Sequence, residues 1–77
     1  MPTLAFVLIK TKVGKTGKVL EDLKQMKEVI ECYMVTGVYD IIAKIEAPDL
    51  ESLGKIVADR MHEMEGVTST VTCLVIR

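Results

Sequence analysis

The residues best equipped for chemistry fall in one short stretch, Thr36-Gly37-Val38-Tyr39-Asp40. Asp40 is an acid near the head of an otherwise apolar run. Its carboxylate suits the ammonium group of a small ligand, because hydrogen bonds between charged partners are the strong ones. Gly37 permits backbone conformations that other residues resist and lets a ligand approach the main chain. Free backbone N–H groups there could receive a ligand carboxylate. Tyr39 adds a ring and a hydroxyl. The same residues also suit a plain turn, with Asp40 bonded to nearby backbone. Residue types alone leave both readings open. A second set of polar groups, Thr68, Ser69, Thr70 and Thr72, forms a hydroxyl ladder near the C-terminus. It fits a small polar pocket, and equally a half-exposed strand in which Thr serves as a good strand former.

Other chemistries find little footing. Gly14-Lys15-Thr16 looks like the tail of a phosphate-binding P-loop, but Ile9 stands where that motif needs glycine. Lys10, Lys12, Lys15 and Lys18 form a basic run without Arg or aromatic neighbours. That composition suits a solvated edge that resists aggregation better than a base-stacking surface. With ten basic and eleven acidic residues the formal net charge is −1, so no global field draws in nucleic acid. His62 is the one histidine, with no readable partner for general-base work and no ligand set for a metal. No catalytic residue, cofactor or metal is expected. Cys32 and Cys73 each sit in an apolar run and read as buried thiols acting as small hydrophobes.

The elements that must position these groups follow from hydrophobic period. Residues 3–12 carry a short apolar run bounded by polar residues, a strand. Residues 16–27 place Val19, Leu20, Leu23 and Met26 on one helical stripe, with Thr16 as the expected N-cap. Residues 29–36 and 38–47 read as two strands joined by a tight turn at Thr36-Gly37. Pro48-Asp49 opens a second helix, with Asp49 as N-cap. Leu50, Leu53, Ile56, Val57, Met61 and Met64 carry its apolar spacing, and Gly66 is placed as its C-cap. Residues 67–76 form the last strand.

The resulting order, βαββαβ, is the ferredoxin-like split arrangement: an α+β domain with a four-stranded antiparallel sheet and both helices on one face. Strands one and three lie centrally. The strands are apolar on both sides, and a sheet apolar on both sides is covered on both sides. At 77 residues with 49% hydrophobic content, the chain has more apolar surface than one small core hides. A second copy is the simplest cover, so a sheet-on-sheet homodimer (a dimeric α+β barrel) is expected. No secretory signal or membrane-length apolar segment is visible, which predicts a single cytoplasmic domain over residues 1–77 with no membrane partner.

These motifs resemble the effector-binding domain of the leucine-responsive/asparagine-type (Lrp/AsnC) transcription regulators, the RAM module. The stretch Thr36-Gly37-Val38-Tyr39-Asp40-Ile41-Ile42-Ala43-Lys44-Ile45 is similar to the family's hairpin. The stretch Met64-Glu65-Gly66-Val67-Thr68-Ser69-Thr70-Val71-Thr72 is similar to the start of its last strand. The resemblance implies an amino-acid effector bound in a cleft at Gly37, Tyr39 and Asp40, completed by Thr70 and Thr72. It also implies homodimers assembling into an octamer or decamer. Full-length members carry a helix-turn-helix domain, whereas here the first strand starts at Thr3 or Leu4. The expectation is therefore a ligand-sensing and oligomerisation module without direct nucleic-acid contact, acting on transcription indirectly or beside full-length Lrp/AsnC-type regulators. The alternatives are a structural subunit without ligand, or a small enzyme on the same scaffold, against which one His and three aromatics count.

Overall fold

The structure is a computed structural model and describes residues 2–77. Its elements are β1 (Thr3–Thr11), α1 (Thr16–Lys24), β2 (Val29–Met34), β3 (Ile41–Ala47), α2 (Leu50–Lys55) and β4 (Val67–Leu74), with a π-helical segment, Ile56–Met61, continuing α2. The four strands form one antiparallel sheet in the order β2-β3-β1-β4. This is the expected ferredoxin-like α+β topology, with β1 and β3 at the centre.

Period-2 patterning decides which side of the sheet is covered. Ala5, Val7 and Ile9 of β1 pair across with Ile45, Ala43 and Ile41 of β3. All six are fully buried. Val19 and Leu23 of α1, Leu53 of α2, and Met61 at the end of the π segment join them in one core. Burying each Val, Leu, Ile or Met side chain among them stabilises the fold by about 1.5–3 kcal/mol.

Local expectations are corrected in the first helix, the hairpin and the second helix. First, α1 stops at Lys24 rather than Lys27. The Gln25 and Met26 N–H groups reach back to the Asp22 and Leu23 carbonyls, tightening the last turn while Met26 remains buried. Thr16 is not the N-cap: Lys15 holds that position without a side-chain cap bond, because the Thr16 hydroxyl is engaged by Thr11. Second, no tight turn joins β2 to β3. The Val35 N–H donates to the Asp40 carbonyl at 2.9 Å, leaving Thr36, Gly37, Val38 and Tyr39 as the loop between them.

Third, the second helix does not run to Met64 as α-helix. At 3.6 residues per turn Met61 would stand about 140° around the axis from Ile56. The π segment winds more widely, with the His62 N–H bonding the Val57 carbonyl five residues back, and both Ile56 and Met61 are buried. Arg60 on this segment donates to Glu28 at 2.8 Å, pinning it to the start of β2. Gly66 therefore lies beyond the helix and turns the chain into β4. Its φ is +96°, and a Cβ there would sit 2.9 Å from Lys15 Cβ and 3.0 Å from Val19 Cγ2. Only glycine meets both demands. Asp49 caps α2 as expected, accepting from the Ser52 N–H at 2.7 Å. That bond holds its carboxyl below the usual range.

The opposite face carries Leu4, Phe6, Leu8, Tyr33, Ile42, Val71 and Cys73, by register with the buried set. Phe6 is 37%, Tyr33 56% and Val71 42% exposed. Cys73 is thus exposed, against the expectation of a buried thiol, whereas Cys32 lies half-buried on the helix side. Burial pushes the Cys32 thiol up. The two cysteines occupy opposite edges and opposite faces of the sheet, which excludes a bond between them within one chain.

Candidate ligand site

The hairpin loop, the end of β1 and the start of α1 meet at one end of the sheet. Asp40 is the joint. Its backbone N–H donates to the Ile9 carbonyl at 2.9 Å, and its carbonyl accepts from Val35. Its carboxylate Oδ2 accepts from the Thr11 N–H at 2.8 Å and from the Thr11 hydroxyl at 3.2 Å. The Thr11 hydroxyl in turn lies 2.6 Å from that of Thr16, the first residue of α1. Asp40 and Tyr39 are half-buried, while Gly37 is exposed. Gly37 has φ +114° and open space where a Cβ would stand, so backbone conformation rather than crowding calls for glycine. Val13, Val35 and Val38 are exposed on the loops around this joint.

Gly37, Tyr39 and Asp40 are therefore brought together. Thr70 and Thr72 are not brought to them within one chain. Thr70 pairs with Ile9 on the far side of β1 from β3, two strand spacings or roughly 10 Å from Ile41. Its hydroxyl lies 3.4 Å from His62 Nδ1 instead, and Thr72 is exposed on the edge strand. Thr11 and Thr16 were missed as site residues. Their signal was a hydroxyl at the end of an apolar strand with a second one five residues on, across the Gly14 loop.

Concavities lie elsewhere on the molecule. One of about 530 Å³ opens at the far end of β3, among Lys27, Glu28, Glu46, Pro48 and Lys55, where opposite charges already face one another. Another of about 220 Å³ lies on the bare sheet face beside Phe6, Ile42 and Tyr33. There the Tyr33 hydroxyl donates to Glu31 at 2.8 Å, which pushes the phenol up. Among the described residues, no group of three or more His, Cys, Asp or Glu is placed to hold a metal ion. No helix among them is long and apolar enough to cross a membrane.

Sheet topology and helix placement define the class as a ferredoxin-like α+β module. The chain belongs to the Lrp/AsnC ligand binding domain family, whose sequence profile matches residues 4–77. It is 39% identical over 74 residues to the HTH-type transcriptional regulator FL11 of Pyrococcus furiosus, covering 96% of this chain and 48% of that regulator. The chain thus spans about half the length of the curated relatives it resembles. These relatives are transcriptional regulators, not enzymes. A crystal structure of the hypothetical protein PHS023 from Pyrococcus horikoshii is 36% identical, with TM-score 0.90, covering all of this chain and 92% of that one. The transcriptional regulator NMB0573 of Neisseria meningitidis, solved as an L-Met complex, shares the fold at 19% identity, with TM-score 0.86 over 97% of this chain and 50% of that one.

Proposed function

We propose that this domain is an amino-acid effector-binding and oligomerisation module, with its ligand site at Gly37, Tyr39 and Asp40. The observation that carries the reading is the Asp40 carboxylate, half-buried at the foot of a glycine-containing loop that also carries the exposed Val38. A free α-amino acid supplies an ammonium for that carboxylate and a carboxylate for loop N–H groups. The L-Met complex of NMB0573 supports this ligand class for the family's fold. Two chains pair through the bare sheet faces, and such dimers close into an octamer or decamer. Thr70 and Thr72 of a neighbouring copy complete the cleft that one chain leaves open. In this reading DNA is contacted by full-length regulators of the family, which co-assemble with this domain in the cytoplasm.

Calorimetric titration of the twenty amino acids, with light scattering on the same samples, tests this directly. Saturable binding of one or a few is the expected result. Asp40→Asn is the informative variant, because it removes charge and keeps an acceptor oxygen. Asp40→Ala, by contrast, also strips the bonds to Thr11 and so perturbs the fold. Asp40→Asn should weaken binding by about tenfold or more, and unchanged affinity would refute the site. A ligand-free assembly subunit is the second reading, favoured by the fact that Oδ2 of Asp40 is already engaged within the chain. A stable oligomer that binds none of the twenty would establish it.

A further inference from the structure

The three-residue network at the candidate site has a fixed direction. A carboxylate only accepts, so the Thr11 hydroxyl must give its single proton to Asp40 Oδ2. With that proton committed, the 2.6 Å contact between the two threonines can be made only if Thr16 donates to Thr11. Hydrogen bonds thus run one way, from the first residue of α1 through the end of β1 to the hairpin acid. Oδ2 carries both the Thr11 N–H and the Thr11 hydroxyl, while Oδ1 takes no part in the network. Chains of this kind polarise one another, so each member strengthens the next.

We infer that Thr11 and Thr16 are positioning residues, which lock the Asp40 side chain so that Oδ1 faces the loop and an amino-acid ammonium. The inference rests on the reading of Asp40 as the ligand carboxylate. The network also gives a bound amino acid a route to the body of the domain. Pull on Oδ1 is felt at Oδ2, hence at Thr11, hence at the first turn of α1. Met34 lies beside the same turn, with its Cε 3.8 Å from where a Cβ on Gly17 would stand. The end of β2, the hairpin acid and the head of α1 therefore share one contact region.

The test has two arms on the full chain. In the first, without ligand, three-bond couplings to the Asp40 carboxyl carbon report its χ1 population by NMR. Wild type should show one rotamer, Thr11→Val a mixture in which that rotamer still leads, because the 2.8 Å bond from the residue 11 N–H remains, and Thr11→Ser one rotamer again, because serine restores the hydroxyl. In the second, the twenty amino acids are titrated by calorimetry, L-methionine first. Thr11→Val should raise Kd by about tenfold and Thr16→Val by about two- to threefold, with Thr11→Ser near wild type. This order separates the relay from general destabilisation, which would not be rescued by serine. A single rotamer in Thr11→Val overturns the inference, as does averaging with unchanged Kd. If wild type binds none of the twenty, the ligand reading fails, and the positioning role toward an ammonium fails with it. The coupling arm then still decides whether the hydroxyls lock Asp40.

Discussion

The two faces of the sheet are built from the same strands, one residue out of step, and end in different states. On one, Ala5, Val7, Ile9, Ile41, Ala43 and Ile45 vanish beneath two helices. On the other, Phe6, Leu8, Ile42 and Val71 form an apolar surface that neither helix covers, fringed near β2 by Tyr33, Glu31 and Lys44. The contrast separates two jobs. Small β-branched and alanine side chains let helices approach closely and make the fold. Larger and rimmed side chains make a surface suited to another sheet, since exposed apolar patches edged by polar groups mark interaction sites.

Substitution on the two faces should therefore give opposite phenotypes. Val7→Asp places a carboxylate in a fully buried apolar site, where no partner offsets its desolvation. The variant should be unfolded at room temperature, with loss of cooperative denaturation by circular dichroism. Phe6→Glu, one residue away, should leave the monomer folded. It should raise the dissociation constant of the proposed dimer by about thirtyfold or more, read by sedimentation across a concentration series. An unchanged sedimentation coefficient would mean that the bare face is not where copies pair.

The smallest effect concerns how firmly the covered face keeps its helices. The Glu28 carboxyl is held below its usual value of 4.5 by its own backbone N–H and then by Arg60, against burial that pushes it up. A depressed carboxyl contributes stability above its unfolded value, lost as pH falls through the folded one. Stability should thus decline slightly below about pH 4.5 as Glu28 protonates. Glu28→Gln should flatten that part of the profile, as followed by denaturant midpoints between about pH 6 and about pH 3.

Much of this was legible in residue order. The four strands, their topology, the buried stripe of α1 and the Asp49 cap follow from period and capping chemistry. Val38 and Tyr39 have strand-forming side chains, yet the Asp40 N–H bond to the Ile9 carbonyl and the Val35 N–H bond to the Asp40 carbonyl hold them in a loop. Local preference lost to a tertiary tether. The π segment was hidden because Ile56 and Met61 stand five apart, a spacing absorbed into an ordinary helical stripe. Gly37, Tyr39 and Asp40 were recognisable from type and order, yet Thr11 was not, since its partner lies 29 residues away. Thr70 and Thr72 lie across β1 from that loop, a separation that residue order does not express.

Remove a single residue between Val57 and Met61, and Ile56 and the methionine stand four apart, neighbours on one face of an ordinary α-helix. Both could then fill their present core positions, and β4 would keep its pairing with β1. The crossover thus behaves as a built-in slack of one residue. Chains of unequal length can share this fold with the difference taken up inside the helix, and an alignment of such chains should open its gap there rather than in the loop before β4.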